Sequence, residues 1–246
     1  MKIVRCNFKN ITEEKKEKLK ESQCLLLISV GQEAHEGDRF AATVELIKSS
    51  FESCIISIYD SIQRHTMALN SVQSPDFFHD KANREGKLWY ERNMMYISQL
   101  PKLKRIYHWD HWLNHKLFQT KKNEIISLME QDIKYKSVFD LSIETYLNRY
   151  IKNSNDSPTF NRERAKKICL EYIIEECAVL ILWIELACQF EIYPNKHNMA
   201  IEETRKRFIL PGHSNILQPL TLRFKNAKQP KRQVFRSLEV IEDNFS

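Results

Sequence analysis

Glycine is scarce in this chain, with four residues among 246. So few glycines argue against the glycine-rich loops that cradle nucleotide phosphates, and for a helix-rich chain. The six cysteines, Cys6, Cys24, Cys54, Cys169, Cys177 and Cys188, mostly sit inside apolar runs and form no CxxC pair. That pattern argues against structural zinc and a disulfide framework, and for reduced core thiols in a cytoplasmic protein. Met1-Lys2 leading into a strand-like run is not the pattern expected of a signal peptide, and the longest apolar stretch, Cys177 to Cys188, is interrupted by Glu185. A soluble protein with no membrane partner is therefore expected.

What is present suits a globular core: 42% of residues are hydrophobic and 11% aromatic. The length fits one large domain or two small ones. Lysine and arginine number 38 against 32 acidic residues, a formal charge of +6, which makes a polyanion a partner to test.

One stretch organises the rest. Leu25 to Val30 is an apolar run that reads as a buried strand, broken at Ser29-Val30-Gly31 before an amphipathic segment from Asp38 to Phe51. A strand that breaks at glycine and feeds a helix puts its last polar side chains at the carboxyl edge of a sheet, where open α/β sheets bind ligands. Ser29 is thus a hydroxyl displayed at a candidate site. A second buried strand, Cys54 to Asp60, completes a βαβ unit and implies a parallel sheet with a right-handed crossover.

Upstream, Ile3 to Cys6 is strand-like, and Glu14 to Lys20 is a charged run, read as a solvated face or linker. Downstream, Ser61 to Asn70 reads as a helix capped by Asp60 or Ser61. Ser74-Pro75-Asp76 opens a long helix towards Gln99, because serine before a first-turn proline is a start signal. Its Lys81, Arg84, Lys87 and Arg92 fall on one broad side. Leu103 to Trp109 reads as a third strand, Asp110–Ile133 and Lys136–Tyr150 as two helices, and Asn153–Pro158 as a polar loop. Asn161 to Phe190 reads as one long helix, since Ala165, Ile168, Tyr172, Glu176, Val179, Trp183 and Leu186 recur at three- and four-residue steps. A strand-like Glu191–Tyr193, a short helix to Phe208, a strand Leu220–Phe224 and a basic tail follow. The pattern is α/β with a helix-heavy second half.

Several constellations carry chemistry. His108, His111 and His115, with Asp110, invite a metal reading, but no HExxH base accompanies them and the three do not share one face. Ser29 with His35 or His65 allows a serine hydrolase dyad, although the GxSxG elbow is absent. Tyr172 and Glu176, four residues apart, point the same way on a stripe that continues apolar through Val179 and Trp183. Glu176 on that stripe is either a buried structural ion pair or a general base whose pKa burial has raised. Glu175, about a hundred degrees round the helix, reads as an ordinary surface charge. The basic side of the Pro75 helix suits a phosphate backbone, with a solvated face as the plainer alternative; Arg205, Arg207 and the tail's Lys225, Lys228, Lys231, Arg232 and Arg236 extend such a surface.

Together these residues resemble the tRNA-dependent cyclodipeptide synthases. The carriers are Ile28-Ser29-Val30-Gly31-Gln32, then Tyr172 with Glu176, then Ile192-Tyr193-Pro194, with Asp60, Gln63-Arg64-His65-Thr66 and Trp109-Asp110 also similar to that family. Gln32 with Tyr193-Pro194 resembles its X-Tyr-Pro branch. The resemblance implies a Rossmann-like parallel-sheet monodomain over residues 1–246, akin to the catalytic domain of class I aminoacyl-tRNA synthetases. Residues 1–22 would form an amino-terminal strand and charged segment, and residues 225–246 a basic tail.

It implies two aminoacyl-tRNAs as substrates, a cyclic dipeptide as product, and neither ATP, cofactor nor metal. Ser29 would take the first aminoacyl group, and Tyr172 and Glu176 would hold its α-amine. The second aminoacyl-tRNA's amine would attack the acyl-enzyme, giving a dipeptidyl-enzyme with Glu176 as proton acceptor. Tyr193 would relay a proton at ring closure. Substrate-binding positions implied beside Gly31 and Gln32 are Leu25, Leu27, Tyr59, Val179 and Glu191, with Glu191, if it faces the pocket, favouring a polar or cationic amino acid. Lys81, Arg84, Lys87 and Arg92 would bind the first tRNA. A serine hydrolase and a non-catalytic tRNA-binding module remain the alternatives.

Overall fold

A computed structural model describes residues 3–9, 11–69, 71, 73–153 and 161–227. Six strands form one sheet: β1 (Ile3–Phe8), β2 (Gln23–Ser29), β3 (Ser53–Tyr59), β4 (Arg105–His108), β5 (Phe190–Tyr193) and β6 (Gln218–Ala227). Their order is β1-β6-β5-β2-β3-β4. All neighbours pair parallel except β1 and β6, an antiparallel pair at one edge. The sheet is therefore mixed rather than purely parallel, and the Leu220–Phe224 strand extends in both directions because it pairs with β5 and β1 in turn.

Nine α-helices surround it among the described residues: α1 (Glu13–Leu19), α2 (Gly37–Ser50), α3 (Arg64–Met67), α4 (Pro75–Ile97), α5 (Trp109–Leu113), α6 (Phe118–Gln131), α7 (Ile133–Asn153), α8 (Arg162–Leu182) and α9 (Met199–Thr204). The charged run after Thr12 is thus a capped helix, laced by Glu13–Lys16 and Glu14–Lys18 pairs. Ser74 caps α4 by accepting from the Phe77 amide, with Pro75 in the first turn. The Ser61–Asn70 segment makes only a short 3-10 turn and the four-residue α3, and Asn70 lies outside the described residues. Residues 154–158 of the polar loop and the tail beyond Ala227, with Lys228, Lys231, Arg232 and Arg236, also lie outside them.

β2 and β3 are apolar almost throughout because both faces are covered. Leu25 and Leu27 join the cluster under α5–α9, while Cys24, Leu26 and Ile28 join the one under α2 and α4. β2 therefore leaves through α2 towards β3 on one side, whereas its other neighbour, β5, arrives from α8 across the opposite face. The carboxyl ends of β2 and β5 form a topological switch point, where a crevice opens.

The helix expected to reach Phe190 ends at Leu182. A 3-10 turn, Trp183–Leu186, follows, and Ala187 closes it in the left-handed region at φ 51°. α8 is buried at every position from Ile173 to Leu182. That burial on all sides is why apolar spacing ran on past its end.

Close packing also fixes α4 on the strand ends. A Cβ on Gly86 would lie 2.3 Å from Asp60 Cβ. Helix propensity alone predicts that Gly86→Ala gains about 1 kcal/mol. Packing predicts the reverse, a loss of about 2 kcal/mol with a melting temperature lower by about 4–8 °C. Thermal unfolding of Gly86→Ala reads the sign directly.

Candidate active site

Ser29 ends β2, and the chain turns at once: Gln32 N donates to Ser29 O at 3.2 Å, and Gly31 takes φ 83°. That left-handed position explains the glycine. His35 braces the turn, its Nδ1 accepting from the Ser29 amide at 2.9 Å, while Trp89 Nε1 on α4 donates to His35 O at 2.9 Å. Burial holds the His35 pKa down at about 4, so the ring is neutral.

The Ser29 hydroxyl is therefore not served by His35. It lies 3.0 Å from Tyr193 OH, which also accepts from Gln32 Nε2 at 3.0 Å. His65, the other partner for a hydrolase dyad, places Nε2 3.2 Å from Glu175 Oε2 and packs edge-on against Tyr172. Neither histidine forms a nucleophile–base pair with Ser29.

A cavity of about 780 Å³ opens above this pair, walled by Ser29, Gly31, Gln32, His65, Tyr172, Glu176, Tyr193 and His197 among others. It joins the ends of β2 and β5 to α7 and α8. Glu176 is buried, and its pKa is raised to about 7: burial dominates, Glu191 and Glu175 push the same way, and His197 and Asn198 oppose. Asn198 Nδ2 donates to Glu176 Oε2 at 3.5 Å. Burial and the Glu176 charge also keep Tyr172 and Tyr193 protonated. A carboxyl titrating near neutrality beside two phenols and a serine hydroxyl can accept a proton from an amine as it acylates.

Glu175 corrects the surface-charge expectation. It is buried, because α3 and α5 cover the face of α8 next to the cavity. Arg64 holds both its oxygens, one at 3.0 Å, and Trp109 Nε1 donates at 2.7 Å. Burial raises its pKa, but His65 and Arg64 outweigh that and leave it lowered.

The implied substrate positions divide. Gly31 and Gln32 line the cavity, whereas Leu25, Leu27, Tyr59, Val179 and Glu191 lie beneath it in the core, at 3% exposure or less. Glu191 is aligned with Leu25 in the sheet, two rungs below the rim. Its oxygens are occupied by His197 Nε2 and by Arg205 at 2.5 Å, so it offers nothing to a cationic substrate. Arg205 is accordingly interior rather than part of a basic surface.

Lys81, Arg84, Lys87 and Arg92 are all exposed along α4. Lys87 pairs with Glu91 at 4.0 Å and Arg92 with Glu36 at 3.0 Å, while Lys81 and Arg84 have no ion-pair partner among the described residues. His108, His111 and His115 go separate ways, to Asp60 at 2.6 Å, to the Tyr107 and Trp112 rings, and to Glu185 at 3.2 Å. No helix among the described residues is long and apolar enough to cross a membrane. Sequence spacing missed His197 and Asn198. Their signal was a polar run, Asn195 to Asn198, just past the carboxyl end of a strand.

No family sequence model and no curated protein matches the chain. Solved structures do. A CDPS (cyclodipeptide synthase) from Fluoribacter dumoffii is 34% identical, covering 92% of this chain and 100% of that one, with a TM-score of 0.87. The cyclodipeptide synthase of Candidatus Glomeribacter gigasporarum, solved bound to Phe-tRNAPhe, is 18% identical over 95% of this chain and 100% of that one, TM-score 0.71. A Mycobacterium tuberculosis protein, described as demonstrating that cyclodipeptide synthetases are related to type I tRNA synthetases, is 10% identical over 92% and 94%, TM-score 0.61.

Proposed function

The chain belongs to the cyclodipeptide synthases, and from that premise we propose that it joins two aminoacyl-tRNAs into a 2,5-diketopiperazine by ping-pong acyl transfer through Ser29. The observation that carries this reading is the Ser29–Tyr193 pair at the cavity rim, with Glu176 and Tyr172 on the α8 wall.

In the first step Ser29 Oγ attacks the aminoacyl ester. The new Oγ–C bond replaces the bond to the tRNA 3′ oxygen, which leaves with the serine proton. Tyr193 OH, anchored by Gln32, holds the hydroxyl in place. Tyr172 and Glu176 then hold the α-amine of the stored residue. A dipeptide carried on Ser29 requires that this amine attack the second ester; attack in the opposite sense would leave the dipeptide on the second tRNA, which corrects the direction expected from sequence. Glu176 accepts the amine proton as the C–N bond forms and passes it to the 3′ oxygen of the departing second tRNA, which returns Glu176 to its carboxylate. The dipeptide's free amine finally attacks its own Ser29 ester, closing the ring and returning a proton to Oγ through Tyr193. Each ester already carries the energy of the bond to be made, so the scheme needs no ATP and no metal.

Lys81 and Arg84, the α4 cations with no ion-pair partner among the described residues, suit the first tRNA's phosphates, with Lys87 and Arg92 extending the surface. Gln32 with Tyr193-Pro194 supports membership of the X-Tyr-Pro branch. The reading treats the chain as one catalytic unit. Its tRNA substrates and six free thiols support a cytoplasmic location.

Expression in a bacterium, with mass spectrometry of the medium, tests the reaction. A diketopiperazine is expected, and its mass names both amino acids. Folded protein that yields none, while hydrolysing aminoacyl esters or merely binding tRNA, would replace the reading with the hydrolase or the binding module.

A further inference from the structure

The scheme above leaves a buried charged cluster behind Tyr193 without a task. Glu191, His197 and Arg205 form it: His197 Nε2 meets Glu191 Oε1, Arg205 donates to Glu191 Oε2 at 2.5 Å, and Arg205 also donates to Leu217 O at 2.5 Å. The Glu191 and Arg205 side chains are 0% and 4% exposed and that of His197 8%. Burying three ionisable groups is a poor way to gain stability, because desolvation offsets most of their attraction. The cluster touches the site at two points instead. The His197 ring lies flat on Tyr193, centroids 5.4 Å apart at 12°, and forms part of the cavity wall. The next residue, Asn198, donates to Glu176.

We propose that the Glu191–Arg205 pair holds His197 as an imidazolium, and that this cation, flat against Tyr193 and beside Glu176, is the positioning residue that keeps Glu176 a carboxylate for the condensation step. The inference rests on the role given to Glu176 above. Around His197 stand Glu191 and Tyr193 on β5, Glu176 on α8 and Arg205 after α9; the two carboxylates favour its charge, and Arg205 and burial oppose it. Around Glu176 stand Glu191, Glu175, Tyr59, Tyr172 and Tyr193, all of which are negative or become so on ionising. His197 is the nearby cation that favours Glu176 in its ionised form, because the Arg205 charge faces Glu191.

His197→Gln tests this, since glutamine can still bond Glu191 but carries no charge. With Ser29 loaded beforehand, single-turnover condensation is followed from pH 5.5 to 8.5. The acid limb of the profile is expected to move up by about one pH unit, lowering the rate at pH 7 about five- to tenfold. An unmoved limb would overturn the inference, since a packing role alone changes the amplitude and not the midpoint. Nitrogen NMR of histidine-labelled unaltered protein, with His197 assigned through its contact to the Tyr193 ring, reads the charge without any variant. An imidazolium at pH 7 is expected, and a neutral ring there would overturn the inference. Should Ser29 never load in the unaltered chain, the mechanism itself fails, and the NMR titration decides the state of His197 independently.

Discussion

Ser29→Ala lowers cyclic dipeptide formation at least about a thousandfold while leaving the protein folded. The hydroxyl is the one nucleophile that the protein itself supplies in the scheme, and the groups around it are placed to hold it, not to substitute for it. His35, the nearest base in sequence, is spent on the Ser29 backbone and is too weakly basic, at about 4, to hold a proton at neutral pH. Removing the hydroxyl takes one bond from Tyr193 and leaves the Gln32 bond in place, so little stability is lost. Product release assayed by mass spectrometry, beside a thermal melt, separates loss of chemistry from loss of fold. A variant retaining a tenth of the activity would mean that the aminoacyl group is never stored on Ser29.

Glu176→Gln has the second largest effect. Loss of the proton acceptor slows condensation by about a hundredfold or more, and the rise in rate through pH 7 that the carboxyl imposes disappears. The same substitution changes stability in the opposite direction. The folded-state pKa, about 7, lies above the ordinary carboxylate value, so the contribution of Glu176 is fully present below about pH 4 and is lost as pH rises through 7. At pH 8 the glutamine variant is therefore expected to be more stable, by about 3 kcal/mol at most. Urea unfolding at pH 5 and pH 8 checks this: a gain confined to the higher pH is expected, and an equal effect at both would place the raised pKa in doubt. A buried group that costs stability yet faces a cavity is the pattern of a functional residue.

How legible this was from sequence differed from element to element. Strand β2 and its break at Ser29 were legible because the apolar run Leu25–Ile28, followed by Ser29-Val30-Gly31, has few alternatives. Tyr172 and Glu176 were legible because helical spacing fixes which side chains share a face. The same rule misjudged Glu175. Periodicity states that it points elsewhere, but not whether another element covers that side, and Arg64, His65 and Trp109 do. Glu191 was misplaced for a related reason. Strand alternation puts it on the face of Tyr193, yet not at the same height, and two residues along a strand separate the cavity rim from the core. Its partner Arg205 sits fourteen residues away in a short helical turn, a pairing that only the folded chain reveals. The end of α8 was invisible because the 3-10 turn Trp183–Leu186 carries its apolar spacing on, and Ala187, not glycine, takes the left-handed position that closes that turn.

The most direct measurement is the intact mass of the protein, mixed with one aminoacylated tRNA and quenched in acid within its first turnover. The account predicts an added mass equal to one aminoacyl group, lost in Ser29→Ala, and chased into cyclic dipeptide when the second aminoacyl-tRNA is supplied. Product formation with no adduct at any time would contradict storage on Ser29, and with it the role assigned to every group around that hydroxyl.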